Sequence, residues 1–142
     1  MARRRKTLKR LILILTLLAT PVLAESELEC LAKNIYFEAR GEPVEGQFAI
    51  AYVTLNRVDD ERWPDSICDV VYQRSQFSWT RHNQRINEAR AWRRARRIAE
   101  QAIESHAEGE DNTEGAVYFN RTRALYFHAP LTVRIGNHSF FG

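Results

Sequence analysis

Three glutamates in the stretch NIYFEARGEPVEGQ, residues 34–47, have the types and spacing for acid chemistry: Glu38, Glu42 and Glu45. Apolar residues recur at Leu28, Leu31, Ala32, Ile35 and Ala39, which is helical spacing. At about 100° per residue, Glu38 falls within about 20° of Leu31, on the stripe that a helix buries. It also lies in the last turn, near the negative end of the helix dipole. Burial and dipole both disfavour the carboxylate, so the Glu38 carboxyl is expected to hold its proton above the ordinary range. Glu42 and Glu45 fall in the first turn of the following helix, where the dipole favours the anion. A protonatable carboxyl set beside ionised ones is what general acid catalysis needs near neutral pH. The structural alternative is that Glu38 pairs with Arg40 or another arginine and ties down the turn.

Other residues are candidates for binding rather than proton transfer. Gln76, Phe77 and Ser78 form a polar-aromatic block that suits a groove, or a strand packed on helices. Tyr118 and Asn120 flank Phe119, so in a strand they share the opposite face, where a phenol and an amide suit hydroxyl-rich ligands. His138 is a further candidate contact near Glu38, against the alternative of a buried structural histidine. Gln47 and Thr54, seven apart on one side of a helix, and Arg40 are expected to support the site. His82, His106 and His128 have no metal-ligand spacing, and no cofactor is expected. The arginine run RRARR, residues 93–97, reads as a solvated helix face.

The elements that must carry these groups are mostly helical. A first helix from about Leu28 is stopped by Gly41, a frequent C-terminal signal. Pro43 suits the first turn of a second helix, which runs to about Val58 and is apolar on two sides. Asp65 or Ser66 can cap a short helix through Tyr72. QFSWT, residues 76–80, reads as extended and RHNQR as loop. A long helix follows from about Asn87 to Glu108. GAVYFN, ALYFHA and TVRIGNHSFF then look like short strands separated by turns. Helices first and strands last predict a small α+β domain.

Residues 1–24 stand apart. MARRRKTLKR is basic, LILILTLLATPVLA is apolar over 14 residues, and Val22-Leu23-Ala24 resembles a cleavage site. That is the build of a secretory signal, with an uncleaved anchor as the alternative. It holds six of the 21 basic residues and none of the 18 acidic ones, so the remainder has 15 bases and a net charge of −3. The basic whole-chain pI therefore argues for export and not for nucleic-acid binding. Residues 25–142 suit one domain, expected as a monomer in the periplasm or cell envelope. In an oxidising compartment Cys30 and Cys68 are expected to pair, the alternative being two buried thiols.

Taken in order, IYFEARGE, EGQFAIAYVTLNRV, QFSW, GAVYFN and IGNHSFFG resemble the catalytic domain of the spore-cortex-lytic (SleB-type) cell-wall hydrolase family, from about Leu28 to Gly142. The resemblance implies a lysozyme-like, transglycosylase-related fold and peptidoglycan glycan strands as substrate. It makes Glu38, in the YxEARGE block, the catalytic acid/base. It also leaves room for cell-wall regulatory proteins as partners. Most glycosidases need two carboxyls about 5–9.5 Å apart, and Asp59, Asp60, Asp65 and Asp69 lie in turns or at helix ends. One usable carboxyl favours a lytic transglycosylase, which forms 1,6-anhydromuramic ends. A water-using muramidase and a non-catalytic peptidoglycan-binding domain are the alternatives.

Overall fold

The computed structural model describes residues 24–121 and 128–142. The proposed signal segment, apart from Ala24, and most of the ALYFHA strand lie outside the described residues. Four helices come first: α1 (Glu27–Ala39), α2 (Val44–Asp59), α3 (Ile67–Tyr72) and α4 (Ala89–Ala107). Three strands follow: β1 (Tyr118–Asn120), β2 (Leu131–Ile135) and β3 (His138–Phe141). They form an antiparallel sheet in the order β1-β3-β2, so the last strand is central.

Helix α1 is the hub, packed against α2, α3 and α4. Its inward stripe of Cys30, Leu31, Ile35 and Tyr36 meets Ala51, Tyr52 and Leu55 of α2 and Ala95, Ile98, Ala99 and Ala102 of α4. The alanines of α4 add little bulk, which lets that helix approach its neighbours closely. A smaller cluster beneath the sheet joins Ala39, Ala49, Ile50 and Val53 to Ala116 and Phe140. Because α2 is apolar on two sides, it serves both clusters.

The cysteines are bonded: a Cys30–Cys68 disulfide, 38 residues apart, ties α1 to α3. Ser66 caps α3 by accepting from the Asp69 amide at 3.1 Å. Glu27 of α1 also accepts from the amides of Ile67 and Cys68, a second cap supplied by a neighbouring helix.

Local expectations differ from the structure in four places. Gly41 does not take the left-handed conformation seen at Gly109, Gly115 and Gly136. The turn is closed instead by the Glu42 amide donating to the Ala39 carbonyl at 2.9 Å. Pro43 is the N-cap of α2 rather than its first helical residue. Residues 78–81 are not extended but form one 3₁₀ turn, held by the Thr80 hydroxyl donating to the Phe77 carbonyl at 2.8 Å. Its aromatic residues mimic a strand because Trp79 is buried, with its indole N–H directed at Asn34 Oδ1. Finally, TVRIGNHSFF is a hairpin, turned at Gly136 with φ 58°.

Candidate active site

Glu38 sits in the last turn of α1, half-buried, in the wall of a groove of about 520 Å³. Burial pushes its carboxyl above the ordinary range, and the Arg121 charge pulls it partly back. Arg121 also donates through Nη2 to the Glu38 main-chain carbonyl, which holds the end of α1 against the residue that follows β1.

Five of the residues singled out from sequence line the same groove: Gln76, Phe77, Ser78, Tyr118 and Asn120. Ser78 opens the 3₁₀ turn and Gln76 lies in the turn just before it, while Tyr118 and Asn120 come from β1. Phe77 is almost wholly buried and stacks on Phe119 at 6.2 Å, so it forms floor rather than rim.

The groove has further residues that pattern reading missed: Arg57, Trp63, Ser75, Arg81, Phe119 and Arg121. Trp63 stands edge-on to Tyr118 at 5.8 Å. The Arg57 guanidinium lies 4.3 Å from the Trp63 ring centre, and its Nε donates to the Val117 carbonyl at 2.7 Å. A buried arginine thus joins α2 to β1 and backs the aromatic wall. The available signal was a tryptophan inside an otherwise polar turn.

The remaining candidates lie elsewhere. Arg40 does not pair with Glu38; its Nε bonds Glu88 at 2.8 Å and its guanidinium stacks over Tyr36. Thr54 accepts from Asn34 Nδ2 at 3.1 Å inside the core. Gln47 donates to the Glu42 carbonyl at 2.9 Å. His138 is buried beside Glu42, not Glu38, with Nδ1 3.8 Å from Glu42 Oε1.

Glu42 is more deeply buried than Glu38, only 8% exposed. Burial works against its charge. Hydrogen bonds from the Asn137 amide at 2.9 Å and side chain at 3.2 Å, with His138 and Arg121, more than offset this and hold it below the usual range. Gly136 is needed here, because a Cβ would collide with the Glu42 carboxylate. A carboxyl whose pKa falls on folding contributes stability that is intact above about pH 4.3 and fades as pH drops through the lower folded value. Glu42→Gln is therefore expected to cost about 1–3 kcal/mol at pH 7, with the gap from wild type narrowing below about pH 4.3. Urea unfolding at pH 7 and pH 3.5 measures this; a gap independent of pH would contradict it.

Glu38 is the only acid lining its groove, and residues 1–23 and 122–127 contain no Asp or Glu. Asp60 is engaged elsewhere, its carboxyl held down to about 2 by hydrogen bonds from Arg62. Among the described residues no three His, Cys, Asp or Glu side chains converge as a metal would require. The arrangement is one protonatable carboxyl, several arginines, and an aromatic-amide wall.

The model of a family described as Cell Wall Hydrolase matches residues 41–141, beginning three residues after Glu38. The spore cortex-lytic enzyme of Bacillus subtilis (strain 168) is 31% identical over 121 residues, covering 82% of this chain and 38% of that protein. The enzyme of the same description from Halalkalibacterium halodurans is 28% identical, with 82% and 35% covered. The chain therefore spans well under half the length of these relatives. The crystal structure of the catalytic domain of the Bacillus cereus SleB protein superposes with a TM-score of 0.66 at 28% identity, covering 82% of this chain and 89% of that one. The catalytic domain of the germination-specific lytic transglycosylase SleB from Bacillus anthracis gives 0.65 at 27% identity, with 87% and 99% covered.

Proposed function

Because the chain belongs to the cell wall hydrolase family, we propose that it is a peptidoglycan lytic transglycosylase cutting between N-acetylmuramic acid and N-acetylglucosamine. The observation that carries this reading is the half-buried Glu38 as the only acid in its groove.

One carboxyl serves both halves of the reaction. Protonated Glu38 donates to the glycosidic oxygen, the bond from muramic C1 to that oxygen breaks, and N-acetylglucosamine leaves with a new hydroxyl. Positive charge develops at C1. The Glu38 carboxylate then takes the proton from the muramic 6-hydroxyl, whose oxygen closes onto C1 to form the 1,6-anhydro ring. Atoms balance without water, and Glu38 ends protonated for the next cycle. A muramidase would need a second carboxylate to activate water or to trap C1. Tyr118, Asn120, Gln76 and Ser78 supply hydroxyl and amide groups toward sugar hydroxyls, with Trp63 as an apolar wall.

Mass spectrometry of fragments released from purified sacculi tests this. Muramic ends one water lighter than reducing ends are expected; reducing ends alone would overturn the transglycosylase route in favour of the muramidase. Binding without cleavage by the wild-type protein would favour a glycan-binding domain.

The substrate lies outside the cytoplasm, and residues 1–24 are assigned as its export signal. The protein recovered from its host's envelope is then expected to begin at Glu25.

A further inference from the structure

Beyond Arg121 the surface carries a second, smaller cavity of about 190 Å³, bounded by Arg121, Arg134, Gly136, Asn137, His138 and Ser139. It shares Arg121 with the groove of Glu38. Its composition differs sharply from that groove: two guanidinium groups, an imidazole, a hydroxyl and an amide, with no acid in the lining.

Two observations set this cavity apart from an ordinary polar surface. Neither Arg121 nor Arg134 forms an ion pair among the described residues, and the residues outside them contain no acid that can supply one. His138 is 1% exposed, yet neither ring nitrogen has a hydrogen-bond partner among the described residues. A buried polar group left unsatisfied is costly and uncommon; the imidazole lies behind the cavity wall, against Phe119 and Phe140. The nearest acid, Glu42, does not line the cavity. Its carboxylate is already engaged by the Asn137 amide and side chain.

We propose that this cavity is an anion subsite which receives a carboxylate of the peptidoglycan substrate while the adjoining glycosidic bond meets Glu38. The proposal rests on the glycan-cleaving reading above. Guanidinium groups match carboxylates through paired N–H donors. Muramic acid bears its acidic arm on the same sugar whose C1 is cut, so a carboxylate held beside Arg121 sets which bond lies over Glu38. Two carboxylates have this chemistry: those of the stem peptide, and the lactyl carboxylate exposed when the stem has been removed.

Soluble uncrosslinked strands in three forms provide the test: stems intact, stem carboxylates converted to methylamides, and stems removed by an amidase to expose the lactyl group. For the wild-type chain, KM is expected to rise about fivefold to tenfold from intact to methylamide strands, the weight of one charge-assisted hydrogen bond at a partly exposed site. Arg134→Gln, an exposed strand position, is expected to lose that discrimination, the two KM values lying within about twofold. Equal discrimination by both proteins, or none by the wild type, overturns the subsite. Given that discrimination, a wild-type KM on stripped strands as low as on intact ones shows that the lactyl carboxylate also occupies the subsite, and one as high as on methylamide strands restricts it to the stem carboxylates. Wild-type protein that cleaves none of the three forms would instead remove the glycan-cleaving reading beneath it.

Discussion

Glu38→Gln is expected to lower glycan cleavage by about 10²- to 10⁴-fold, the usual weight of a positioned acid or base, while leaving the fold intact. The amide keeps the shape and cannot deliver a proton to the leaving oxygen or receive one from the 6-hydroxyl. Stability should move in the opposite direction. Burial raises the Glu38 carboxyl, against the opposing Arg121 charge, so the folded protein holds this proton more tightly than the unfolded chain does. Such a group favours the fold below its unfolded pKa of about 4.3 and loses that contribution as pH rises through the folded value. The glutamine variant is free of this loss, and its stability relative to wild type should grow with pH across that window and then level off. Cleavage by the wild type should fall over the same rise in pH, because the proton donor is being depleted. Sacculus turbidity assays give the first comparison and thermal unfolding from pH 4 to pH 8 the second. A glutamine variant within tenfold of wild type would remove Glu38 from the chemistry.

Reduction of the Cys30–Cys68 bond is expected to be the largest purely structural perturbation. Freeing a closed loop of 38 residues removes about 3–4 kcal/mol in the chain-entropy model. For a domain of about 118 residues that corresponds to a fall in Tm of roughly 12–16 °C. The local consequence is specific. Helix α3 is short, and the bond and the Glu27 cap reinforce the packing of Ile67 and Val71 that holds it to the core. The chain that follows α3 supplies Ser75, Gln76, Phe77, Ser78 and Arg81 to the groove, so activity should be lost on warming well before α1, α2 and α4 separate. Thermal scans with and without reductant, beside a Cys30→Ala/Cys68→Ala variant, measure the effect. Unchanged Tm, or full alkylation of both cysteines without reductant, would contradict it.

The helical half of the fold was legible because helix formation is read from near neighbours. The spacing of Leu28, Leu31 and Ile35 defined α1, placed Glu38 on its buried stripe, and so anticipated the direction of its pKa. Asp65 and Ser66 marked the start of α3 in the same way, and the structure chooses Ser66. Gln76, Ser78, Tyr118 and Asn120 stand out by residue type and by the ordered resemblance, although residues 78–80, expected to be extended, form a 3₁₀ turn. That error is instructive. An aromatic, β-branched run has one texture whether it joins a sheet or drives a single side chain into a core, and Trp79 does the latter.

What local pattern does not carry is the choice of distant partner. Arg40 stands two residues from Glu38 yet takes Glu88, because a helix end directs successive side chains to different neighbours. Glu42 looked like a first-turn residue favoured by a dipole, whereas its charge is held by Asn137, 95 positions away. Arg57, which no local pattern singled out, is sealed beneath Trp63. From the order of its residues the chain prescribed its helices, its cysteine pair and one carboxyl turned inward. Folding alone decided that this carboxyl would have Arg121 and no second acid beside it. Periodicity acts over a few residues, while the charges and rings that surround a site come together only when segments far apart along the chain are packed.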